Sequence, residues 1–516
     1  MSGLLRSFAA DLDATVAEAG ARVAFVDARY ETEYDYRTLG ELIARCETLF
    51  RQHGLAPGDT VLSMLPTSAD GILAFLAAAH GGYSFAPLPS EAVAEEASRA
   101  VRLMGPKLCL ISAMASDAVA NALRAAGVAV VPVTLDGSLA WLPPFAAPAA
   151  PRAEQAGRLY LATSGSTGEP KAIVLDVDRL WSSGKAFAAR HRFLNGESRF
   201  LNILPISYLG GLFNLCLIPM ASGGSFVIAE SFSGRSLLSF WQQVEQFDVT
   251  VLWLVPTILR GLLAIADRTA RHRVSPPKRV RACFLGTAPI DLATKTRFEE
   301  VFGIPLLENF ALSETTFITS EHLGDGMPRE EGSVGTLLPY VTLRVYPLEG
   351  EGDARSSNAG ASGELAVRTP FLFLGYLQPD GSLQLPLDDE GYFRTGDVGH
   401  LSESGVLAID GRLRDVIKKG GYFIALREIE LLAERHEAVQ EAAAVAIPHE
   451  FYGESFQLLV IPKEGHDRAE LVPHLGAWLR ERLVRYKWPE KIEAVDAFPR
   501  TDSGKIRKTL LVSGPA

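Results

Sequence analysis

Cysteine is scarce in this sequence, with four residues in a chain of 516. Cys46, Cys109, Cys216 and Cys283 are widely separated, and no two of them have the spacing of a metal-ligand or redox motif. We therefore expect four reduced core residues, as in a cytosolic protein.

Long hydrophobic runs are also absent. No stretch approaches the roughly 18 consecutive apolar residues of a membrane-spanning helix. Residues 1–20 contain no apolar core of the length found in signal peptides. We therefore expect a soluble, cytoplasmic protein without a membrane span.

A surplus of basic residues is lacking as well: 50 Lys and Arg stand against 61 Asp and Glu, a net charge of −11. Nucleic-acid-binding proteins usually carry a basic surplus, so nucleic acid is not expected as a partner. A small anionic ligand remains possible because local charge decides its binding. Apolar residues are abundant, at 47%, which is enough for sizeable cores.

Short apolar runs rich in β-branched residues recur along the chain and predict buried strands. They lie at residues 107–112, 128–133, 226–229, 250–256 and 281–286. Amphipathic stretches separate such runs elsewhere in the chain, and one of them, from Leu39 to Gly54, has apolar residues at helical spacing. This alternation predicts an α/β fold with mostly parallel sheets.

Changes in residue composition and in the predicted secondary structure along the chain predict its domains. The Pro- and Ala-rich segment 141–151 is typical of a surface connection. Shorter alternating strands with Gly, Asp and Ser turns predict a β-rich subdomain at about residues 332–410. We predict a large N-terminal domain of layered α/β subdomains at 1–410, which includes this subdomain, and a small α+β domain at 411–516.

The segment "TSGSTGEPK", from Thr163 to Lys171, is rich in Gly, Ser and Thr and ends in a cation. Such a loop can turn backbone N–H groups and hydroxyls toward one anion, above all a phosphate. Its spacing differs from the common nucleotide loop G-x-x-x-x-G-K-[ST], because Lys171 comes three residues after Gly168 and Ala172 follows it. On composition alone, a surface linker is the alternative.

This loop resembles the phosphate loop of the adenylate-forming superfamily, which includes acyl-CoA synthetases, adenylation enzymes for aryl and amino acids, and luciferases. Five further segments are similar to the family's motifs and lie in its order: "ENFALSET" (308–315), "GELAVRTPFLFLGY" (363–376), "GYFRTGDVGHL" (391–401), "GRLRDVIKKGGYFIALREIE" (411–430) and "FPRTDSGKIRK" (498–508). The resemblance covers nearly the whole chain. It implies an enzyme that activates a carboxylic acid with ATP and has a mobile C-terminal domain.

The resemblance also implies which residues contact the phosphates. Glu314 would bind Mg²⁺, which prefers carboxylate and phosphate oxygens, and Ser313 would contact the α-phosphate. The β- and γ-phosphates would be held by Ser164, Gly165, Ser166, Thr167, Gly168 and Lys171, and Thr163 would also bind the nucleotide.

For the nucleoside, Asp397 would accept hydrogen bonds from the ribose hydroxyls, with assistance from Arg412. Outside this context, an Asp after a Thr-Gly turn would be taken as an Asx-turn residue. The adenine would be framed by Gly286, Thr287, Ala288, Asn309 and Phe310.

In the C-terminal domain, Lys505 would be the mobile cation that enters the site only for adenylation. The domain would rotate about a hinge at 411–415, where Arg414 stands in place of the usual Asp or Lys. Gly420 and Gly421 would line a tunnel for a pantetheine thiol, and a simple turn is the alternative for this pair.

The segment 204–214 bears on the acid. Amino-acid-activating members of the family carry an Asp here to pair with the substrate ammonium, and this segment has no carboxylate. We therefore disfavour amino acids and expect an aliphatic or aryl acid. Gly210 and Gly211 would open room for a chain. The pocket candidates are Tyr208 as the wall, Gly211, Leu212, Gly286 and Trp253, for which core packing is the alternative.

The expected reaction is formation of acyl-AMP from ATP and a carboxylic acid, with Mg²⁺, followed by transfer of the acyl group to coenzyme A. One alternative acceptor is the phosphopantetheine of an acyl carrier protein acting in trans. A non-catalytic nucleotide-binding protein is disfavoured, because Lys171, Glu314, Asp397 and Lys505 are all present. Luciferase-like oxidation shares these motifs but is not favoured by any of them.

Overall fold

The computed structural model describes residues 4–147, 155–163, 171–232, 236–268, 278–286, 290–324, 326, 329–348, 360–419, 422–500 and 506–511. Its α-helices are α1 (Phe8–Ala19), α2 (Tyr36–Gln52), α3 (Ala69–His80), α4 (Ala94–Met104), α5 (Asp117–Ala125), α6 (Val177–Arg190), α7 (Ile218–Ala221), α8 (Ser236–Gln246), α9 (Pro256–Arg268), α10 (Leu292–Phe302), α11 (Leu426–Glu434) and α12 (Arg468–Arg480).

The strands of the first two thirds of the chain are β1 (Val23–Asp27), β2 (Thr32–Asp35), β3 (Thr60–Met64), β4 (Ser84–Pro87), β5 (Leu108–Ser112), β6 (Ala129–Val133), β7 (Arg158–Thr163), β8 (Lys171–Asp176), β9 (Arg199–Asn202), β10 (Ser225–Ile228), β11 (Val251–Leu254), β12 (Ala282–Leu285), β13 (Leu306–Leu312), β14 (Thr316–Ser320) and β15 (Ser333–Leu337).

The remaining strands are β16 (Thr342–Pro347), β17 (Gly363–Arg368), β18 (Gly375–Leu377), β19 (Leu383–Gln384), β20 (Phe393–Leu401), β21 (Val406–Arg412), β22 (Val416–Lys419), β23 (Tyr422–Ala425), β24 (Val439–His449), β25 (Gly453–Pro462) and β26 (Lys491–Ala494).

Two large sheets carry most of the chain. An eight-stranded sheet has the order β19-β18-β8-β7-β4-β3-β5-β6, and its strands from β7 to β6 in that order pair in parallel. The pair β7–β8 is antiparallel, so the glycine-rich loop connects the two strands of a hairpin. Helix α3 is buried along its length except at His80, and its apolar surface joins a core that includes residues of both large sheets.

The second sheet has thirteen strands in the order β16-β17-β20-β21-β15-β14-β13-β12-β11-β9-β10-β1-β2. Neighbouring strands from β1 to β13 in this order are parallel, and those from β13 to β16 are antiparallel. Because parallel strands end at one edge of the sheet, the segments after β11, β12 and β13 are brought close together.

The C-terminal part of the chain forms a five-stranded sheet, with the order β23-β22-β25-β24 and with β26 paired to β25. Helices α11 and α12 cover it through a separate apolar core that includes Ile429, Phe456 and Leu475. The predicted α/β class with a small C-terminal α+β domain is thus confirmed. The exact domain limits at 410 and 411 stay a prediction.

The apolar runs predicted as strands correspond to β5, β6, β10, β11 and β12. The helix predicted from Leu39 is α2, which begins earlier, at Tyr36, because the Asp35 side chain caps it by accepting from the Thr38 N–H at 2.7 Å. It ends before Gly54, whose φ of 74° favours glycine.

All four cysteines are free and buried, as expected of core residues. None of the helices in the described ranges combines the length and apolar composition needed to cross a bilayer. In the predicted surface connection, Phe145 is 82% exposed, whereas Trp141 is anchored by its indole N–H to the Asp70 carboxylate at 2.7 Å.

Candidate active site

Part of the predicted site lies outside the described residues, namely Ser164, Gly165, Ser166, Thr167, Gly168, Thr287, Ala288, Gly420, Gly421 and Lys505. The structure likewise gives only the backbone of Thr163, Lys171 and Arg414. In the β7–β8 hairpin, Thr163 lies directly opposite Lys171, so the two ends of the glycine-rich loop are adjacent.

Glu314 lies in the tight turn between β13 and β14 and is half-buried. Its carboxylate oxygen Oε1 accepts a hydrogen bond from the Tyr376 hydroxyl at 3.0 Å. Its backbone carbonyl accepts from the Phe373 N–H at 2.8 Å. Burial and the nearby Glu314 charge raise the pKa of Tyr376, which therefore remains a neutral donor at physiological pH. Ser313 occupies the same turn and is half-buried too.

The residues after Glu314 are fixed by a strained backbone and a buried hydroxyl pair. Thr316 has a φ of 60°, which is unfavourable for a β-branched side chain. The Ser183 hydroxyl of α6 donates to the Thr316 hydroxyl at 2.8 Å, and Thr315 is fully buried beside it. Strain of this kind persists only where surrounding contacts hold it, so the direction of the turn is well determined.

Asp397 and Arg412 lie opposite each other on the neighbouring strands β20 and β21. The Arg412 Nε atom lies 3.0 Å from the Asp397 Oδ1 atom, and the Asp397 side chain is 4% exposed. The turn before Asp397 is stabilised by the Thr395 hydroxyl, which accepts from the Asp397 N–H at 3.0 Å and donates to the Leu365 carbonyl. The local turn contact therefore comes from Thr395, while the Asp397 carboxylate pairs with Arg412.

The proposed adenine segments meet where the middle of β13 passes the carboxyl end of β12. The Asn309 side chain donates to the Leu285 carbonyl at 2.9 Å. A Cβ atom at Gly286 would lie only 2.9 Å from the Asn309 Oδ1 atom, so this close approach favours glycine. Phe310 follows on β13 and is half-buried. The structure thus brings Gly286 and Asn309 together.

A buried ion cluster lies next to the proposed adenine segments and includes Glu308, the residue before Asn309. The Lys295 ammonium of α10 is 2.6 Å from the Glu321 carboxylate and 3.3 Å from that of Glu308, and its side chain is 2% exposed. Burial raises the pKa of Glu308 to about 7, while Lys295 opposes and Glu321 reinforces the increase. The Glu308 N–H also donates to Glu321 at 2.8 Å. This cluster anchors the residue that precedes Asn309.

Two of the predicted acid-pocket residues, Gly211 and Leu212, lie on a π-helix, Gly210–Leu217, which leads directly into α7. π-Helices are rare and often occur at functional sites. The Asn202 side chain donates to the Gly211 carbonyl at 2.8 Å, and the Gly211 N–H donates to the Tyr208 carbonyl at 3.0 Å. Burial raises the pKa of Tyr208 to about 12, so its phenol is neutral.

Gly210 and Gly211 lie close to neighbouring protein atoms, and the room they would open for a chain stays a prediction. A Cβ atom at Gly210 would lie 2.6 Å from the Tyr208 ring, and one at Gly211 would lie 2.3 Å from the Pro205 carbonyl oxygen. Both glycines permit close packing of the chain on itself. Leu212 is fully buried, and Trp253 is 1% exposed among aromatic neighbours, so both belong to the hydrophobic core. Their place in an acid pocket stays a prediction.

Three residues that hold the Glu314 turn have no assigned role in the sequence motifs. Tyr376 ends the segment "GELAVRTPFLFLGY", so its position in that motif was an available signal. Ser183 and Thr316 are 133 residues apart, and no pattern in the sequence marks their contact.

Ion pairs connect the small C-terminal sheet and its helices to the rest of the chain. The Arg260 guanidinium of α9 lies 3.9 Å from the Glu434 carboxylate of α11 and 3.8 Å from the Glu441 carboxylate of β24. Arg435 pairs with Glu331 at 2.9 Å. These contacts belong to one relative orientation of the two parts.

Comparison with known proteins is consistent with this arrangement. The model of the AMP-binding enzyme family matches residues 12–377, and that of the AMP-binding enzyme C-terminal domain matches residues 428–505.

The oxalate–CoA ligase of Arabidopsis thaliana is 29% identical over 488 residues, which are 92% of each protein. The sulfoacetate–CoA ligase of Cupriavidus necator is 31% identical over 489 residues, again 92% of each. The crystal structure of ATP-bound MatB from Rhodopseudomonas palustris superposes with a TM-score of 0.86 over 98% of each chain, at 26% identity. The chain therefore belongs to the AMP-binding enzyme family.

Proposed function

We propose that this protein is an AMP-forming acid–thiol ligase that uses coenzyme A as its acceptor. A carboxylate oxygen attacks the α-phosphorus of ATP, the bond to the β-phosphate oxygen breaks, and pyrophosphate leaves. The thiolate of coenzyme A then attacks the acyl carbon of acyl-AMP, and AMP leaves with the electron pair of the broken acyl–oxygen bond. Family membership and the two CoA ligase relatives support this proposal.

The observation that carries the proposal is the Asp397–Arg412 pair on adjacent strands. A buried carboxylate held by a guanidinium is a fixed acceptor for two ribose hydroxyls. Within the same sheet, Gly286 and Asn309 frame the adenine, and the Glu314 turn faces the phosphates. Ser313, the glycine-rich loop and Lys171 complete the phosphate contacts in this proposal.

Glu314 fits the role of a Mg²⁺ ligand. It is a half-buried carboxylate oriented by Tyr376, and hard divalent cations prefer such oxygens. No group of three His, Cys, Asp or Glu residues in the described ranges is arranged to hold a metal. Phosphate oxygens and water would therefore supply the other ligands. When bound, Mg²⁺ neutralises negative charge on the phosphate oxygens.

We further propose that the C-terminal domain rotates about Arg414 between the two half-reactions. Lys505 would enter the site for adenylation, and Gly420 and Gly421 would line the thiol path afterwards. We also propose a cytoplasmic location, which is supported by the four free, buried cysteines.

The test combines ATP binding, pyrophosphate release and thioester formation. Purified protein with Mg²⁺ should bind ATP, release pyrophosphate on addition of an acid, and form acyl-CoA. Parallel reactions with a holo-acyl carrier protein identify the acceptor. Thioester formation on the carrier but not on coenzyme A would contradict the proposed acceptor, and absence of ATP binding would contradict the whole proposal.

Substitution of Glu314 tests the proposed site more specifically. Glu314→Gln should lower pyrophosphate release by about 10²–10³-fold, because one preorganised charged group is lost at the phosphates. Asp388→Asn is the matched control, since Asp388 also accepts a hydrogen bond from a tyrosine, Tyr346, at 2.8 Å but has no proposed role in the reaction. Equal losses of pyrophosphate release in both variants would contradict the proposed role of Glu314 at the phosphates.

A further inference from the structure

Five aromatic side chains close-pack behind the proposed acid pocket, and we name them the aromatic floor: Phe187, Phe213, Trp253, Phe284 and Phe317. Phe187, Trp253, Phe284 and Phe317 are linked by ring-centroid distances of 4.2 to 5.6 Å. Phe213 packs on Phe317 at 5.5 Å. Each side chain is at most 2% exposed, so the floor is solid protein interior.

The aromatic floor adjoins the segments that would frame the acid. Phe213 follows Gly211 by two residues on the π-helix. Phe317 follows Glu314 by three residues at the start of β14. Phe284 precedes Gly286 by two residues on β12 and lies opposite Trp253 of β11. The floor therefore lies two or three residues along the chain from the proposed site on three separate elements.

The sides of this region are also filled. The Tyr208 ring and the Pro205 carbonyl occupy the space beside Gly210 and Gly211. On the facing helix α6, a Cβ atom at Gly184 would already be in van der Waals contact, at 3.5 to 3.6 Å, with Ala221, Ile218 and Phe213. A long or ring-bearing acyl group would have to displace buried side chains, which tightly packed cores resist.

We propose that the enzyme activates short carboxylic acids, such as acetate, propionate, oxalate and malonate, and rejects medium-chain and aryl acids because the aromatic floor closes the acyl pocket. This inference rests on the proposed function. Oxalate and sulfoacetate, named for two relatives, are acids of this size. Phe213 is the proposed size-determining residue. Among the described ring contacts, its contact with Phe317 is the one that connects the π-helix to the rest of the floor.

The wild-type enzyme provides the first test. Pyrophosphate release is measured with ATP and Mg²⁺ over acetate, propionate, oxalate, malonate, hexanoate, octanoate and benzoate. We expect kcat/KM for at least one short acid to exceed that for each of the last three by at least about tenfold. Preference for hexanoate, octanoate or benzoate would overturn the size limit and leave the ligase proposal standing. Release with none of the acids would also overturn the proposed preference for these short acids, whereas absence of ATP binding would contradict the proposed function itself.

Substitution of Phe213 tests its proposed role in limiting the size of the acid. Phe213→Ala should raise kcat/KM for hexanoate relative to the best short acid by about tenfold, because the floor is opened where it meets the π-helix. Phe240→Ala is the matched control, since Phe240 is equally buried but packs against Trp241 on α8. If Phe213→Ala does not fold, as judged by circular dichroism, Phe213→Leu should shift the ratio in the same direction. If the folded variant has the same ratio of kcat/KM values as the wild type, Phe213 does not determine the size limit.

Discussion

At the scale of single residues, the site depends on side chains that orient the proposed catalytic groups. Tyr376 is the clearest example, because its hydroxyl fixes one oxygen of Glu314 at 3.0 Å. A carboxylate held in this way keeps its second oxygen in a defined direction. Tyr376 is therefore a positioning residue, and its effect should appear in the response to Mg²⁺ as well as in the rate.

Tyr376→Phe should lower kcat by about tenfold and raise the Mg²⁺ concentration needed for half-maximal activity, because a hydrogen bond to a charged group is lost. The measurement is pyrophosphate release over a Mg²⁺ titration. Tyr346→Phe removes a similar tyrosine–carboxylate bond, to Asp388, and should leave the Mg²⁺ response unchanged. Identical Mg²⁺ curves for wild type and Tyr376→Phe would contradict the positioning role.

Lys505 is predicted to act in only one half-reaction. Lys505→Ala should lower acyl-AMP formation by about 10²–10³-fold, because a preorganised positive charge is missing from the transition state. Attack of coenzyme A on supplied acyl-AMP should be largely retained. The two half-reactions are assayed separately, and equal loss of both would rule out the proposed role.

At the scale of elements, the parallel strands could be predicted and the contacts between distant elements could not. Strands β10, β11 and β12 are buried on both faces, so each appears in the sequence as a short continuous apolar run. The motifs likewise singled out Glu314 and Asp397, but they did not predict the turn and the strand on which these residues lie. The Ser183–Thr316 contact depends on how α6 packs against β14, which local sequence does not specify.

Lys295 illustrates the same limit. A lysine in a helix such as α10 is usually a solvated surface charge, yet here its ammonium is buried between two carboxylates of β13 and the segment after β14. Its burial follows from tertiary packing and has a measurable consequence, because one of these carboxylates, Glu308, has a raised pKa.

Glu308→Gln should change how stability depends on pH. The folded-state pKa of about 7 lies above the ordinary value of 4.5, so the folded state binds a proton more tightly than the unfolded state does. This contribution to stability is fully present below pH 4.5 and is lost as the pH rises to about 7. Relative to the Gln variant, wild-type unfolding free energy should fall by up to about 1.4 kcal/mol per pH unit in this window.

Denaturant unfolding of both proteins between pH 5 and pH 8 measures this difference. Glu390→Gln, at an exposed carboxylate that pairs with Arg344, is the control and should leave the pH profile unchanged. Parallel profiles for wild type and Glu308→Gln would show that Glu308 does not titrate in this range.

At the scale of the whole molecule, the proposed rotation would give the C-terminal domain two arrangements, one for each half-reaction. The ion pairs of Arg260 with Glu434 and Glu441 can form in only one of them, because the partners lie on opposite sides of the proposed hinge. Glu434 is 7% exposed, and burial raises its pKa while Arg427 and Arg260 lower it. Loss of Arg260 should therefore destabilise this one arrangement.

Arg260→Ala should change the ratio of the two half-reaction rates by about two- to fivefold, since a partly exposed ion pair contributes up to about 1 kcal/mol. Added salt should shift the wild-type ratio in the same direction as the substitution, because it screens the same pairs. Arg297→Ala removes an exposed pair with Asp267 that lies within the N-terminal part, and it should leave the ratio unchanged. If Arg260→Ala slows both half-reactions equally, the pairs support folding and do not set the balance between the two arrangements.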